Sequence, residues 1–391
     1  MIVLDESRTA PSQFGGVAPQ RRRRTGSLRP ARVFDVTGAA VSGVCVAWLV
    51  FGRLAALSGP FGFVLVAFAG FLVVHAVLVS LHEDRMATRD AVMTTLLSSF
   101  GFLAFGVLAL IVGFTLWRGR EALVHANFYT QDMSRAGPLA PLTVGGAAHA
   151  VVGTLWMIGI ALVLSVPLGL VCAVYLDQSR NRLARLVRTI VEAMTALPTI
   201  LAGLFIYAAW ILTLGNEESA LAAALALSIM MLPYMIRTAD LVLRLVPHSL
   251  REASDALGAP SWRTVWHVVL PTARSGLTTA VILATARGIG EASPVLLTAG
   301  FTSYLNLDPV HGPMVSLPLL ALELVASGQP SYVARGFGCA ALLLLVILVL
   351  FVVARIIGGY GPGRQSPRQQ RRSARASARD KARFGGPRSF A

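Results

Sequence analysis

The sequence predicts an all-α integral membrane protein with about eight transmembrane helices. Of its 391 residues, 55% are hydrophobic and only 14% are charged, whereas soluble domains carry about a quarter charged residues. The mean hydropathy of +0.67 points the same way. A membrane-spanning helix needs about 20 apolar residues. Eight segments meet that length: 37–57, 61–81, 92–116, 150–176, 189–214, 219–239, 273–300 and 332–357.

The arginines predict how these segments are oriented. A net charge of +15 is compatible with nucleic-acid binding, but the basic residues cluster beside the apolar segments and in both tails. That placement favours topology signals and anionic lipid headgroups over nucleic acid. If the N-terminus is cytoplasmic, the arginine-rich stretches 177–188 and 240–272 lie on the same side as both tails. The excess of positive charge inside therefore predicts a multi-pass protein with both termini in the cytoplasm.

The same pattern divides the chain into four regions. Residues 1–36 and 358–391 are low in apolar residues, so we expect disordered basic cytoplasmic tails that lie against the anionic leaflet. Residues 37–91 hold the first two apolar segments. Residues 92–357 hold the other six, together with the long cytoplasmic loop 240–272.

Loop 240–272 carries a local helix signal. Ser249 and Glu252 have the spacing of a capping box, Gly258 stands where a helix would end, and Pro260 blocks its continuation. We expect a helix of about two turns with a small and apolar face. That face holds Ala253, Ala256 and Leu257. So short a helix is not stable alone in water, so it must pack on its own membrane domain or on another protein.

The segment "EASDALGAPSWRTVWHVVLP" resembles the EAA motif of ABC importer permeases. That motif reads E-A-A, three residues, Gly, nine residues and Ile-x-Leu-Pro. Seven residues fill it in register, with Ser and Val at two positions: Glu252, Ala253, Ser254, Gly258, Val268, Leu270 and Pro271. The resemblance implies a coupling helix that docks on a separate ATPase subunit. The implied coupling residues are Arg251, Glu252, Ala253, Ser254, Ala256, Leu257 and Gly258.

Further stretches are similar to the PstA-type phosphate permeases over residues 92–357. They include "LVRTIVEAMTALPTILAGLFIY" and "ARGIGEASPVLLTAG". The resemblance implies a six-helix core of the type I ABC importer permeases, with residues 37–91 as an added N-terminal two-helix hairpin. It also implies a bacterial inner (plasma) membrane location.

The function that this resemblance implies is the membrane-spanning permease subunit of an ATP-driven importer of inorganic phosphate, without a cofactor of its own. The implied partners are a PstC-like permease subunit, a dimer of ATPase subunits and an extracytoplasmic phosphate-binding protein, with anionic lipids around them. The sequence has no G-x-x-x-x-G-K-[ST] loop, no metal-like histidine pair and no G-x-S-x-G elbow, which argues against an enzyme. Three alternatives stay open: a permease for molybdate, sulfate or another oxyanion, a secondary transporter without an ATPase, and a membrane anchor with a regulatory tail.

Two charges interrupt the apolar segment 273–300. As one helix of about 42 Å, the segment places Arg287 near its centre, where an arginine costs roughly 2.5–3.5 kcal/mol to insert. Glu291 follows four residues later, and an exposed pair of this kind recovers only about 0.2–0.5 kcal/mol. Either the two side chains neutralise each other while they face other helices, or Arg287 binds an anion on a substrate pathway with Glu291 beside it. Pro294 cannot donate to the carbonyl of Gly290, which predicts a kink beside the pair.

A second charged pair lies near the inner end of the sixth apolar segment. Arg237 and Asp240 can form a gate, or they can snorkel towards the membrane surface. The sequence leaves both interpretations open.

Overall fold

The computed structural model of the chain describes residues 30–54, 59–81, 84–358 and the single residue Ser377. Every regular element in these residues is a helix, which confirms the predicted all-α class. The helices are α1 (Pro30–Leu49), α2 (Pro60–Ser80), α3 (Arg85–Leu123), α4 (Asn127–Thr130), α5 (Ala148–Gln178), α6 (Arg182–Thr195), α7 (Thr199–Ile206), α8 (Ala220–Arg244), α9 (His248–Ala256), α10 (Ser261–Thr264), α11 (Leu270–Ile289), α12 (Ser293–Thr298), α13 (Leu317–Ala326) and α14 (Pro330–Gly358). Three π-helical stretches continue α1, α7 and α10: Val50–Leu54, Tyr207–Thr213 and Val265–Val269.

The predicted tails fall mostly on residues that the structure does not describe. The N-terminal tail 1–36 overlaps the first turns of α1, which begins at Pro30, and residues 1–29 lie outside the described part. The C-terminal tail 358–391 begins at the last residue of α14, and apart from Ser377 the rest of it lies outside the described part. The disorder expected for both tails therefore stays a prediction.

Six described helices are long and apolar enough to cross a membrane, and a bent pair raises the number to seven. This result is close to the predicted eight. The six are Gly62–Ser80, Arg85–Leu123, Ala148–Gln178, Ala220–Arg244, Ser261–Ile289 and Pro330–Ile356. The first predicted span, 37–57, corresponds to α1 and its π-helical continuation to Leu54, and within it Val36–Gly52 is an apolar helix; residues 55–57 lie outside the described part.

The predicted span 189–214 is not one helix. Arg182–Thr195 and Thr199–Thr213 meet at an angle of 103°. Pro198 lies in the break and caps α7, because it has no N–H to donate and disfavours a helical residue before it. The first arm, α6, is amphipathic, with arginines and apolar residues on different faces. Its exposed apolar residues are Leu183, Leu186 and Ile190.

The predicted helix 273–300 is also broken, and it begins earlier than expected. The helix runs without interruption from Ser261 to Ile289 and stops there, and α12 begins only at Ser293. Pro294 occupies the first turn of α12, where its missing N–H is not needed. The expected kink is therefore a complete break, and Arg287 lies in the last turn of the first helix rather than at the middle of a long one.

The contacts divide the chain into two units between Ala109 and Leu110, inside α3. In the first unit, α1 and α2 approach closely at Gly43. A Cβ atom there would lie 2.5 Å from the Ala67 carbonyl oxygen and 2.6 Å from the Phe71 nitrogen, so only glycine fits. Apart from the first turns of α1, which begins at Pro30, these helices lie in residues 37–91, which we propose as an added hairpin.

In the second unit, α5 and α8 form the centre of the apolar core. Gly169 permits their close contact, since a Cβ there would meet the Met235 sulfur at 2.9 Å. Fully buried side chains around them include Met157, Leu227, Met231, Met314, Leu317 and Leu319.

Two charged side chains organise the connections of this second unit. Arg335, only 1% exposed, donates to the carbonyl oxygens of Pro141 and Val144 at 2.8 Å each. Asp132 accepts from the backbone N–H of Leu305 at 3.0 Å, which joins the connection before α5 to the one after α12. A hydrogen bond from the Ser134 hydroxyl is the largest cause that lowers the pKa of Asp132 below its ordinary value.

Candidate functional site

The short helix predicted in loop 240–272 is α9, and its two ends differ in how well the sequence predicted them. The prediction that Ser249 caps the helix was wrong. Pro247 takes the N-cap position, and its carbonyl accepts from the N–H of Leu250 at 3.2 Å. The helix begins earlier because the fixed φ of Pro247 starts the turn before Ser249 is reached.

The C-terminal end of α9 confirms the predicted stop at Gly258. Gly258 has a φ of +73°, a conformation that favours glycine. Its N–H donates to the backbone carbonyl of Asp255 at 2.9 Å, and the N–H of Ala259 donates to the backbone carbonyl of Ser254 at 3.2 Å. This pair of bonds is a Schellman motif, which satisfies the last carbonyl groups of the helix.

One side of α9 is fastened to the rest of the second unit. The Nη2 atom of Arg251 lies 2.9 Å from Oδ2 of Asp177, and the same nitrogen donates to the Leu243 carbonyl at 3.1 Å. The side chains of Arg251 and Asp177 are 19% and 6% exposed. A second attachment joins Ser254 to Thr264 through their hydroxyl oxygens at 2.8 Å. Arg251 and Ser254 therefore hold α9 to the ends of α5 and α10.

The other side of α9 is exposed. Leu257 is 88% exposed, although it is apolar and belongs to a helix end that is otherwise well ordered by hydrogen bonds. The exposed residues of this face are Glu252, Ala253, Ala256, Leu257 and Gly258. On the neighbouring α10 stretch, Trp262 and Trp266 are 58% and 65% exposed. Small residues beside large apolar ones leave room for another protein surface to approach the backbone closely.

The second part of the site is the break between α11 and α12. The N–H of Glu291 still bonds the Gly288 carbonyl at 3.3 Å, and the chain then leaves the helix before Ser293. Close contacts hold the break in place: a Cβ at Gly288 would lie 2.6 Å from the sulfur of Met231, and one at Gly203 would lie 2.7 Å from Cα of Pro294. The last-turn position of Arg287 also places its charge beside free carbonyl groups, which favour a cation.

Arg287 is held loosely. Its Nη2 atom is 3.8 Å from Oε1 of Glu291, at the outer limit of an ion pair, and the two side chains are 42% and 19% exposed. Its Cζ atom lies 4.2 Å from the ring centroid of Tyr234 on α8. A guanidinium stacked in this way keeps the N–H groups at its edge available for a planar or tetrahedral oxyanion. Tyr234 was not predicted, because nothing local in the sequence links α8 to Arg287.

The predicted pairing of Arg237 with Asp240 is not formed among the described residues. Asp240 instead binds Arg244, with Nη2 at 3.0 Å from Oδ2, and lies 3.7 Å from Nη2 of Arg188 on α6. Arg244 follows Asp240 by four residues, which is the favourable order and spacing on a helix. Arg237 is exposed and lines a cavity of about 350 Å³ together with Asp240, Glu192 and Arg188.

Comparisons with known proteins identify related sequences and structures. Residues 165–360, which include α9 and the α11–α12 break, match the family of binding-protein-dependent transport system inner membrane components. The chain is 38% identical over 277 residues to phosphate transport system permease protein PstA 1 of Mycobacterium tuberculosis (strain CDC 1551 / Oshkosh), covering 70% of this chain and 90% of that protein. It is 35% identical over 277 residues to phosphate transport system permease protein PstA of Mycobacterium leprae (strain TN), covering 71% and 90%. Among solved structures, an inward facing MetNI methionine ABC transporter chain matches with 21% identity and a TM-score of 0.42, over 55% of this chain and 93% of that one.

Proposed function

The chain belongs to the family of binding-protein-dependent transport system inner membrane components, and we propose that it is the permease subunit of an ATP-driven importer of inorganic phosphate. The observation that carries the proposal is the 38% identity to a phosphate permease over 70% of the chain. The loosely held Arg287 supports an anion as the cargo, because its guanidinium edge can bind two oxygens of a phosphate at once.

The energy source in this proposal is a separate ATPase, since the sequence has no phosphate-binding loop of its own. The exposed face of α9 is the docking surface for that ATPase, and two ATPase subunits serve this chain and a PstC-like partner permease. An extracytoplasmic phosphate-binding protein delivers the substrate, and both termini lie in the cytoplasm beside anionic lipids.

A continuous helix supports a mechanical link between docking and transport. The helix Ser261–Ile289 begins three residues after Gly258 and ends two residues after Arg287. At 1.5 Å per residue its 29 residues are about 44 Å long, so a movement of its first turn is carried to the α11–α12 break. The pair between Arg251 and Asp177 carries the same movement to α5. A bound anion would then be released or occluded as the break shifts against α7 and α8.

In the gate that we propose, Asp240 pairs with Arg244 and Arg188 instead of Arg237. Asp240 lies between Arg244 of its own helix and Arg188 of α6, so a shift between α6 and α8 would change the distance of 3.7 Å to Arg188. Arg237 contributes its charge to the adjoining cavity wall.

Uptake into vesicles tests the proposal against its alternatives. The full chain, with the subunits that copurify, is reconstituted and supplied with binding protein, labelled phosphate and internal ATP. We expect phosphate uptake to require ATP. Excess sulfate or molybdate should change the rate of uptake by no more than about twofold. Uptake without ATP would indicate a secondary transporter, strong competition by molybdate or sulfate would indicate another oxyanion, and no uptake at all would favour a membrane anchor.

A glycine substitution tests the ATPase docking surface. Gly258→Arg introduces a long side chain at the exposed end of α9, where φ is +73°, and should remove the ATPase from the purified complex. Gly328→Arg is the matched control, because Gly328 also has a positive φ, of +70°, and open space around it, but lies between α13 and α14. Equal retention of ATPase by both variants would contradict the assignment of α9.

A further inference from the structure

A basic cavity of about 620 Å³ lies beside α9, between the C-terminal ends of α5 and α8 and the first turns of α6. Five arginines and one histidine line it, against one carboxylate, that of Asp177. The basic residues are Arg180, Arg185, Arg188, Arg244, His248 and Arg251. Neither Arg287 nor Glu291 lines this cavity, so it is distinct from the proposed substrate pathway.

The positive charge of this cavity is only partly neutralised by the protein. Asp177 is taken by Arg251, and Asp240 is shared by Arg244 and Arg188. Arg180 and Arg185 are exposed and form no ion pair with any carboxylate in the described residues. In addition, the Nε atom of Arg251 is buried and lacks a hydrogen-bond partner within the same residues. A buried donor without a partner is costly, and an excess of arginine in a concave site attracts an anion.

We propose that this cavity binds a phosphate group. Several arginines from different helices can surround a tetrahedral oxyanion, and the forked guanidinium matches its oxygens in pairs. The volume lies in the range of about 300–1,000 Å³ that is typical of small-molecule sites, so it holds a free phosphate with water or a phosphate ester. The phosphate group comes either from inorganic phosphate in solution or from the headgroup of an anionic phospholipid. The rest of the wall consists of Leu176, Ser179, Asn181 and Ala184.

Binding at this place would bear on α9. An anion between Arg185 and Arg188 of α6, Arg244 of α8 and Arg251 of α9 joins three helices through one ligand. It also competes with Asp177 for Arg251, the residue that fastens α9. Only this regulatory consequence rests on the proposed function; the binding site itself does not depend on which solute is transported.

Two variants of exposed arginines test the site. The double variant Arg180→Gln/Arg185→Gln removes the two unpaired charges of the cavity wall. Arg182→Gln is the matched control, because Arg182 is exposed on the first turn of α6 but does not line the cavity. All three proteins are full chains with their copurifying subunits, and an unchanged thermal unfolding midpoint and unchanged recovery of those subunits show that each is folded.

The first arm measures binding of labelled inorganic phosphate in phosphatidylcholine nanodiscs without the extracytoplasmic binding protein. If free phosphate is the ligand, the double variant should bind about tenfold more weakly or worse, since each charge-assisted bond is worth about that factor. The second arm uses discs that contain phosphatidylglycerol and counts the lipid retained by the complex in native mass spectrometry. If a headgroup is the ligand, the wild type retains phosphatidylglycerol and the double variant loses about nine-tenths of it. In that case the substitutions leave phosphate binding in the first arm unchanged.

The control and a conservative variant complete the design. Arg182→Gln should behave as the wild type in both arms, and Arg185→Lys should lose less than Arg185→Gln because it keeps the charge but not the fork. The proposal is overturned if the double variant matches the wild type in both arms, or if Arg182→Gln loses as much as the double variant. Failure of the uptake assay with unchanged binding here would overturn the proposed function and leave this site standing.

Discussion

Arg251 and Arg287 are held in opposite ways. The guanidinium of Arg251 forms an ion pair with Asp177 at 2.9 Å and donates to the Leu243 carbonyl at 3.1 Å. Arg287 lies 3.8 Å from Glu291 and rests on the ring of Tyr234, with 42% of its side chain exposed. A cation paired at 2.9 Å with a buried carboxylate fixes two helices together, whereas a cation with exposed N–H groups can exchange one partner for another. This difference supports our proposal that Arg251 attaches α9 and that Arg287 contacts an anion.

The largest effect is expected for Arg251→Gln. The substitution leaves Asp177, only 6% exposed, without its counter-charge, which should lower the free energy of unfolding by about 2–3 kcal/mol. Thermal or denaturant unfolding of the purified chain measures it. Asp177→Asn in the same background should restore part of the loss, and Arg263→Gln on α10, which is exposed, should change little. An equally large loss in Arg263→Gln would show that any arginine near α9 has this effect.

Arg287→Gln should damage transport rather than stability. Loss of a charge-assisted contact to the anion predicts uptake at least about tenfold lower. Unfolding should shift by less than about 1 kcal/mol, because the ion pair is long and the Arg287 side chain is 42% exposed. Arg355→Gln is the matched control, since Arg355 is also an exposed arginine in the last turn of a long helix. Arg287→Lys should fall between wild type and Gln. Loss of stability without loss of uptake would reverse the roles of the two arginines.

Tyr234→Leu should produce a smaller change. A cation–π contact at 4.2 Å is worth about 0.5–1 kcal/mol at a partly exposed site, so the half-saturating phosphate concentration should rise about two- to fivefold. Tyr234→Phe keeps the ring and serves as the control, with kinetics close to wild type. If Tyr234→Phe is as impaired as Tyr234→Leu, the hydroxyl group rather than the ring positions Arg287.

The smallest effect is expected for Glu291→Gln. An ion pair of 3.8 Å with an exposed arginine contributes roughly 0.2–0.5 kcal/mol, so unfolding and uptake should both stay close to wild type, uptake within about twofold. Uptake measured from pH 6 to pH 8 checks whether Glu291 has a further role. A collapse of uptake in this variant would mean that Glu291 contacts the anion directly.

The sequence predicts the parts of the site that depend on neighbouring residues. Gly258 and Pro260 end α9 because a positive φ and a missing N–H act within one turn, and these signals can be read along the chain. Pro294 likewise predicts a disturbance near Arg287. The N-cap was misplaced for a similar local reason, since Pro247 competes with Ser249 and starts the helix first.

The sequence does not predict contacts between distant elements. Arg251 and Asp177 are 74 residues apart, so their pairing depends on how α5 and α9 are brought together. The complete break after Ile289 depends on the packing of Gly288 against Met231 and of Gly203 against Pro294, which a proline alone does not dictate. For the same reason, the local spacing of Arg237 and Asp240 suggested a pair, whereas the fold offers Asp240 the better-placed Arg244 and Arg188.

The central claim is that Arg287 contacts the transported anion while Arg251 fastens α9. The most direct test measures labelled-phosphate uptake and ATP hydrolysis in the same vesicles for wild type, Arg287→Gln and Arg251→Gln, at equal amounts of inserted protein. We expect Arg287→Gln to reduce uptake at least about tenfold while its ATPase remains bound. Arg251→Gln should weaken the coupling of ATP hydrolysis to uptake, so that more ATP is hydrolysed for each phosphate transported. Wild-type uptake by a normally inserted Arg287→Gln protein would contradict the claim.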